Sequence, residues 1–453
     1  GSVTARRPTR HTFCTLMVTV KQFRQRQTRL LRQLPPSSVL VLPAAQLVTR
    51  SRDTEFVFRQ NSDFWYLTGF NEPDAWLLLS NHERYAGDYR ALVCQAKDPQ
   101  LEIWHGKRLG PEQALESFKL DEAYPTEVLP EVLTEWLEGH QQVFFPQGEF
   151  TFADEAVFAV LDTLRKTPKQ NLAPTALMDC RPLIHEMRLL KSREEIAVMS
   201  QAAEISARAH RRAMQFASPG CYEYQLEAEL HHEFAMAGAR QPAYGTIVGG
   251  GENACILHYT ENNQQIADGS LILIDAGAEL HGYAADITRT FPVNGKFTAE
   301  QARVYQLVLD AQLAALAQLK AGVTLPAVTE VVIEVICRGL CELGLLKESP
   351  EQALANKSWR RFFMHGLGHY LGLDVHDVGD YLLDGQPRPV ADGMVITVEP
   401  GVYIPVEDDI PEPYRGIGIR IEDNIVITGE GYQMLTGDVP KTIAEIEALM
   451  AEG

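Results

Sequence analysis

Four apolar, strand-like runs of this chain are each interrupted by a carboxylate, and that pattern restricts the fold more than any other. LILI (271–274) runs into Asp275, and a polar turn ends at Gly282. The strand that follows carries Asp286, Thr288 and Thr290 on one face by period-two alternation. MVITV (394–398) leads to Glu399, and Pro400 bars its continuation. GIRIEDN (418–424) places Arg420, Glu422 and Asn424 on one face, with Ile419 and Ile421 on the other. A carboxylate ending a buried strand is costly unless it is paired or bound to metal. The Asp275–Asp286 hairpin alone would read as strand-end aspartates. Four acids in four such strands read as a constellation, and converging carboxylates repel one another unless cations compensate.

The histidines supply a complement. MHGLGHYLGLDVHDVG (364–379) holds His365, His369 and His376, three of the 13 in the chain. Its glycines make a poor phosphate loop with no following P-loop lysine, so a nucleotide site is rejected. Glycine-spaced histidines beside buried carboxylates suit a metal centre. Elsewhere single histidines such as His11, His82 and His140 read as structural. His231-His232-Glu233 invites a zinc-protease reading, but position 236 is Met, so HExxH is absent and a solvated helix turn is expected. The glycine run 249–251 reads as a tight connection before His258.

At 453 residues the chain exceeds what one hydrophobic core usually serves, so two domains are expected. Its 45% hydrophobic and 22% charged composition is that of a soluble globular protein. A net charge of −19 argues against nucleic acid and anionic membrane as partners. The charge is uneven, with nine Lys or Arg and no Asp or Glu in residues 1–50. An acid-free basic leader fits a transit peptide, but Gly1-Ser2 resembles a cloning scar and Met17 a natural start. Residues 21–34 then form a basic first helix with Leu30, Leu31 and Leu34 on its apolar face. No run of 18 apolar residues exists. The seven cysteines lack a CxxC pair, and Cys337 and Cys341 read as core thiols, so a reducing cytoplasm is expected.

Residues 36–150 alternate short strands, SSVLVL and ALVCQA among them, with helical segments such as PEQALESF and EVLTEWLEGH, an α/β pattern, and a further helix is expected near 154–165. Ser192 with Glu195 is a capping-box signature. The expected organisation is therefore a leader over 1–16, disordered or cloning-derived, a first domain over 17–185 and a second over 186–453. Helices are expected near 193–216, 223–237, 298–320 and 325–345. Strands are expected near 271–276, 283–291, 394–399 and 417–428. No repeat of 20–50 residues is visible.

The Asp275 hairpin, HGLGHYLGLDVHDVG (365–379), TVEPGVYI (397–404) and GIGIRIED (416–423) stand in the order and spacing of the metallopeptidases with the pita-bread fold, which this chain resembles. RQNSDFWYLTGFNEPDAWLLL (59–79), ILHYTEN (256–262) and IDAGAELHGYAADITRTFPVNGKFT (274–298) resemble more closely the bacterial aminopeptidase P family, from about residue 20 to the end.

The resemblance implies an α/β (α+β) chain, a creatinase-like α/β domain followed by a pita-bread catalytic domain. It implies that Asp275, Asp286, His369, Glu399 and Glu422 bind two divalent ions, with Mn²⁺ favoured by four oxygen donors and one imidazole. Asp286 and Glu422 would bridge the ions. The implied reaction removes the N-terminal residue from peptides with proline second, using a hydroxide held between the metals. Glu399 would shuttle its proton, His258 and His376 would orient substrate or stabilise the oxyanion, and His365 would contact the proline surroundings. Arg420 is left between a structural ion pair and a substrate contact. Asp53, Trp65 and Trp104 are candidates for the rim of the site, and a homotetramer, or a dimer, is expected. A prolidase limited to Xaa-Pro dipeptides, a methionine aminopeptidase and a binding module on a retired scaffold are the alternatives.

Overall fold

A computed structural model describes residues 17–453, and the expected 1–16 leader lies outside the described residues. The described chain divides between Arg188 and Leu189 into two compact units.

In the first unit the strand Ser38–Pro43 is buried along its whole length. It pairs antiparallel with Trp76–Ser80 and parallel with Gln142–Phe145, at the centre of a six-stranded mixed sheet. Its Val39 and Val41, with Trp76 and Leu78, meet Val132, Trp136, Val157 and Leu161 from the helices Leu129–Leu137 and Thr151–Arg165. The opening helix Val20–Gln33 starts in a capping box between Thr19 and Gln22. Leu30, Leu31 and Leu34 are buried, as their spacing predicts. Arg26 and Gln27 are buried too, donating to the carbonyls of Tyr66 at 2.7 Å and Leu67 at 2.8 Å. Part of the basic face therefore holds the C-terminal end of the helix Ser62–Thr68 rather than meeting solvent.

In the second unit the Ser192–Glu195 capping box opens the helix Arg193–Phe216, which packs on Glu223–Met236. The helices Ala299–Gln318 and Leu325–Glu342 form a second packed pair. One antiparallel sheet joins Ile247–Gly250, Leu271–Ala276 and Ile287–Pro292, with Asp275 opposite Thr288. Another joins Val395–Val398, Asp423–Ile427 and Tyr432–Met434, and a two-stranded piece pairs Gly401–Tyr403 with Gly418–Arg420.

Two strands expected to be continuous are broken, and the breaks fall on acids. The run over 283–291 splits into Tyr283–Ala284 and Ile287–Pro292, leaving Asp286 between them. The run over 417–428 splits into Gly418–Arg420 and Asp423–Ile427, leaving Glu422 between them. Glu399 likewise stands between Val395–Val398 and Gly401–Tyr403. Each break marks a change of strand partner. An unbroken ladder would hold these side chains to fixed pleat directions; the change of partner lets them turn inward together. Gly277 allows the close approach at the first break, since a Cβ there would lie 1.7 Å from the carbonyl oxygen of Ala285.

Candidate metal centre

Asp286, His369, Glu399 and Glu422 each offer a ligand atom within 4.8 Å of the others. They come from three breaks in the sheets and from the glycine-rich loop before His376. His369 Nε2 lies 3.1 Å from Asp286 Oδ2 and 3.6 Å from Glu399 Oε2. Its Nδ1 stands 2.8 Å from the carbonyl oxygen of Tyr370. A hydrogen on Nδ1 directed there leaves the Nε2 lone pair for a cation.

Asp275 lies outside that four-residue group but is tied to it. The Tyr244 hydroxyl stands 2.6 Å from Asp275 Oδ1 and 2.9 Å from Asp286 Oδ1. Arg420 donates from Nη2 to Asp275 Oδ2 at 3.0 Å and from Nη1 to the Tyr403 hydroxyl at 2.9 Å. Thr288 donates to Glu422 Oε1 at 2.8 Å. This is the strand face that alternation assigned to Asp286 and Thr288.

The electrostatics show what the cluster lacks. Burial, with the Asp286 charge beside it, pushes Asp275 up to about 7 against the pull of Arg420. Burial and Asp286 push Glu399 up to about 8. Burial opposes a charged His369, yet Asp286 and Glu399 override it and raise the imidazole to about 9. Crowded carboxylates with few cations of their own disfavour each other's charged forms, and divalent cations would relieve that repulsion. Among the described residues Glu422 Oε2 is buried with no hydrogen-bond partner, an arrangement that is unfavourable unless something binds there. An orphaned carboxylate oxygen in a set of four carboxylates and one imidazole fits divalent cations.

The second unit encloses a cavity of about 480 Å³ at this cluster, lined by Asp275, Asp286, His369, Glu399 and Arg420, together with His258, His365 and His376. Glu422 lies behind the wall, fully buried. His258 and His376 are exposed, and the His376 ring stands nearly perpendicular to that of His369 at 4.5 Å between centroids. His365 Nε2 is 2.7 Å from the Tyr403 hydroxyl. Burial pushes the His365 imidazole down to about 4, so it is neutral at physiological pH.

Two residues of the centre were not found by pattern. Tyr244 stands alone in a polar stretch and carries no motif. Tyr403 was visible only as part of TVEPGVYI. Among the rim candidates of the first unit, Asp53 is exposed, Trp104 is 81% exposed, and Trp65 meets Phe23 edge-on. The HHE turn is accounted for by His231, 2.7 Å from the Thr246 hydroxyl, and by Glu233, paired with Arg208 and Arg212.

Residues 197–429 match metallopeptidase family M24, and residues 23–144 match the aminopeptidase P N-terminal domain. The chain belongs to metallopeptidase family M24. It is 50% identical over 431 residues to the Xaa-Pro aminopeptidase of Escherichia coli (strain K12), a match covering 95% of this chain and 97% of that one. Proline aminopeptidase P II from Yersinia pestis is similar in structure, with a TM-score of 0.93 and 51% identity over 96% of this chain and 100% of the other. A zinc-substituted E. coli aminopeptidase P in complex with product also has a TM-score of 0.93, at 49% identity over 96% and 99% of the two chains. The second unit of this M24 chain has the pita-bread peptidase fold, and the first is the aminopeptidase P N-terminal domain.

Proposed function

We infer that the chain is a metal-dependent Xaa-Pro aminopeptidase, hydrolysing the bond between an N-terminal residue and a proline in second position. One observation carries the reading. In a chain of this family, buried carboxylates and an imidazole converge on a cavity that also presents three further histidines. Asp275, Asp286, His369, Glu399 and Glu422 are the residues that would hold the divalent cations. Manganese is the expected ion, because the donors are mainly hard oxygens. When bound, the cations supply Lewis-acid polarisation and make water a nucleophile near neutral pH.

The chain's own residues do the rest. Glu399 takes the proton of the attacking water and delivers it to the departing proline nitrogen. His258 and His376, both lining the cavity, donate to the carbonyl oxygen as it gains negative charge. His365 packs beside the proline, its far nitrogen held by Tyr403. Arg420 orients Asp275 through the ion pair at 3.0 Å. A proline amide has no N–H, so the cavity needs no acceptor for one, and Ile247, Leu257 and Val375 offer apolar surface to the ring.

The same reading makes the enzyme a homotetramer, or a dimer, of the cytoplasm. The six described cysteines are free, which suits a reducing compartment. Among the described residues no helix is long and apolar enough to cross a membrane. The test is metal-stripped protein, reconstituted separately with Mn²⁺, Co²⁺ and Zn²⁺, against Xaa-Pro dipeptides and longer Xaa-Pro peptides. Activity on tripeptides such as Gly-Pro-Ala is expected, and its loss in Glu399→Gln with metal retained. Cleavage of dipeptides alone would overturn the reading.

A further inference from the structure

His258 is exposed on the cavity and its imidazole makes no hydrogen bond to the protein among the described residues. Its position is therefore set by the backbone that carries it, and that backbone is a loop. The loop is gripped from below by a single buried carboxylate. Glu223, the first residue of the helix Glu223–Met236, is 0% exposed. Its Oε1 accepts from the Tyr259 hydroxyl at 2.6 Å and from the Gln264 N–H at 2.9 Å. Its Oε2 accepts from the Gly250 N–H at 2.8 Å and from Asn253 Nδ2 at 3.1 Å. All four donors come from the segment 250–264, on both sides of His258, and one of them is the residue next to it.

The glycine run 249–251 acquires a purpose from this grip. A Cβ on Gly250 would lie 2.8 Å from Ile266 Cγ1 and 3.4 Å from Glu223 Oε2. Gly251 has a φ of +59°, in the left-handed region. The glycines let the backbone turn over the carboxylate and present an N–H to it. Asn262 closes the far end, accepting from the Val248 N–H at 3.0 Å and donating to the Thr246 carbonyl oxygen at 2.8 Å.

We propose that Glu223 is a positioning residue for His258, a clamp that holds the 250–264 loop so that this imidazole faces the reacting carbonyl. The proposal rests on the peptidase reading for what His258 does, and on geometry alone for the clamp. Glutamine at 223 keeps the shape but turns an acceptor into a donor facing donors. Glu223→Gln is therefore expected to lower kcat about 10- to 100-fold through misplacement of His258. KM and metal content should change little. In a His258→Ala background the same substitution should cost about twofold or less, because the residue it serves is gone.

A fall that is equal in both backgrounds, or a loss of bound metal, overturns the proposal. Tyr259→Phe, which removes one donor and keeps the ring, carries the same cycle if Glu223→Gln does not fold, with a smaller fall expected. Hydrogen exchange over 251–264 separates the clamp from the activity. If the Mn²⁺-loaded wild type leaves Xaa-Pro peptides intact, the peptidase reading fails. The clamp still stands if Glu223→Gln speeds exchange in that segment, and falls if it does not.

Discussion

The carboxamide of Asn424 makes both hydrogen bonds that a neighbouring strand would otherwise make to Asp286. Its Oδ1 accepts from the Asp286 N–H at 2.9 Å, and its Nδ2 donates to the Asp286 carbonyl oxygen at 2.6 Å. The backbone at this break is thereby satisfied without a ladder, and the aspartate stays turned towards His369. Asn424→Asp replaces the donor with a second oxygen opposite a carbonyl. Metal affinity should fall about 10- to 100-fold, as outer partners of metal ligands commonly show. Titration calorimetry of the stripped protein with Mn²⁺ measures it, and unchanged affinity would remove Asn424 from the account.

Gly368 sits where the His369 loop crosses Val395–Val398. A Cβ there would lie 1.8 Å from the carbonyl oxygen of Thr397. The clash is with backbone, so it cannot be relieved by a rotamer change. Gly368→Ala should destabilise the protein by about 1–3 kcal/mol or more and lower its metal content. Urea unfolding and metal analysis together test this, and wild-type values for both would contradict it.

Lys191 and Asp377 form a buried ion pair at 2.7 Å, each side chain 1% exposed. Asp377 follows His376, so the pair fastens the loop that brings this histidine to the cavity. Removing one partner leaves the other charge buried, at a cost of about 3–5 kcal/mol. Lys191→Met should show that loss in urea unfolding, and Lys191→Met/Asp377→Leu should recover much of it. A double variant no better than the single would mean that Asp377 is held chiefly by other bonds.

The first unit has an acid-sensitive contact of its own. Burial raises the Asp63 carboxyl, but the hydrogen bond with His185 at 2.9 Å and the Arg188 charge at 2.7 Å more than reverse this, leaving it below its ordinary value. A depressed folded value means that the extra stability is present above the unfolded pKa of about 3.9 and is lost as pH falls through the folded one. Asp63→Asn should therefore lower stability at neutral pH and flatten its decline towards about pH 3. Denaturant midpoints across that range, followed by a probe in this unit, decide the matter; parallel pH profiles for the two proteins would refute it.

Much of the centre was legible in the chain because ligand chemistry restricts residue type. An acid in the middle of a strand such as MVITVE or GIRIE conflicts with its surroundings, and the conflict is visible without a fold. Period-two alternation also placed Thr288 and Asn424 on the faces where they act. What alternation predicts wrongly is continuity, since it cannot register that a strand changes partner at Asp286 and at Glu422.

The remainder depends on contacts between residues far apart in sequence. Tyr244 reaches Asp275 and Asp286, Glu223 reaches the loop of His258, and Lys191 reaches Asp377, across separations of 31 to 186 residues. None of the three sits in a distinctive local pattern, because a buried tyrosine, glutamate or lysine looks like an ordinary one until its partner is known. The order of residues along the chain thus singled out which side chains could hold cations, an α/β pattern in its first part and the strands that deliver the ligands. Only the tertiary structure decided how those ligands are held, because hydrogen bonds and ion pairs in a low-dielectric interior depend on distances that folding alone creates.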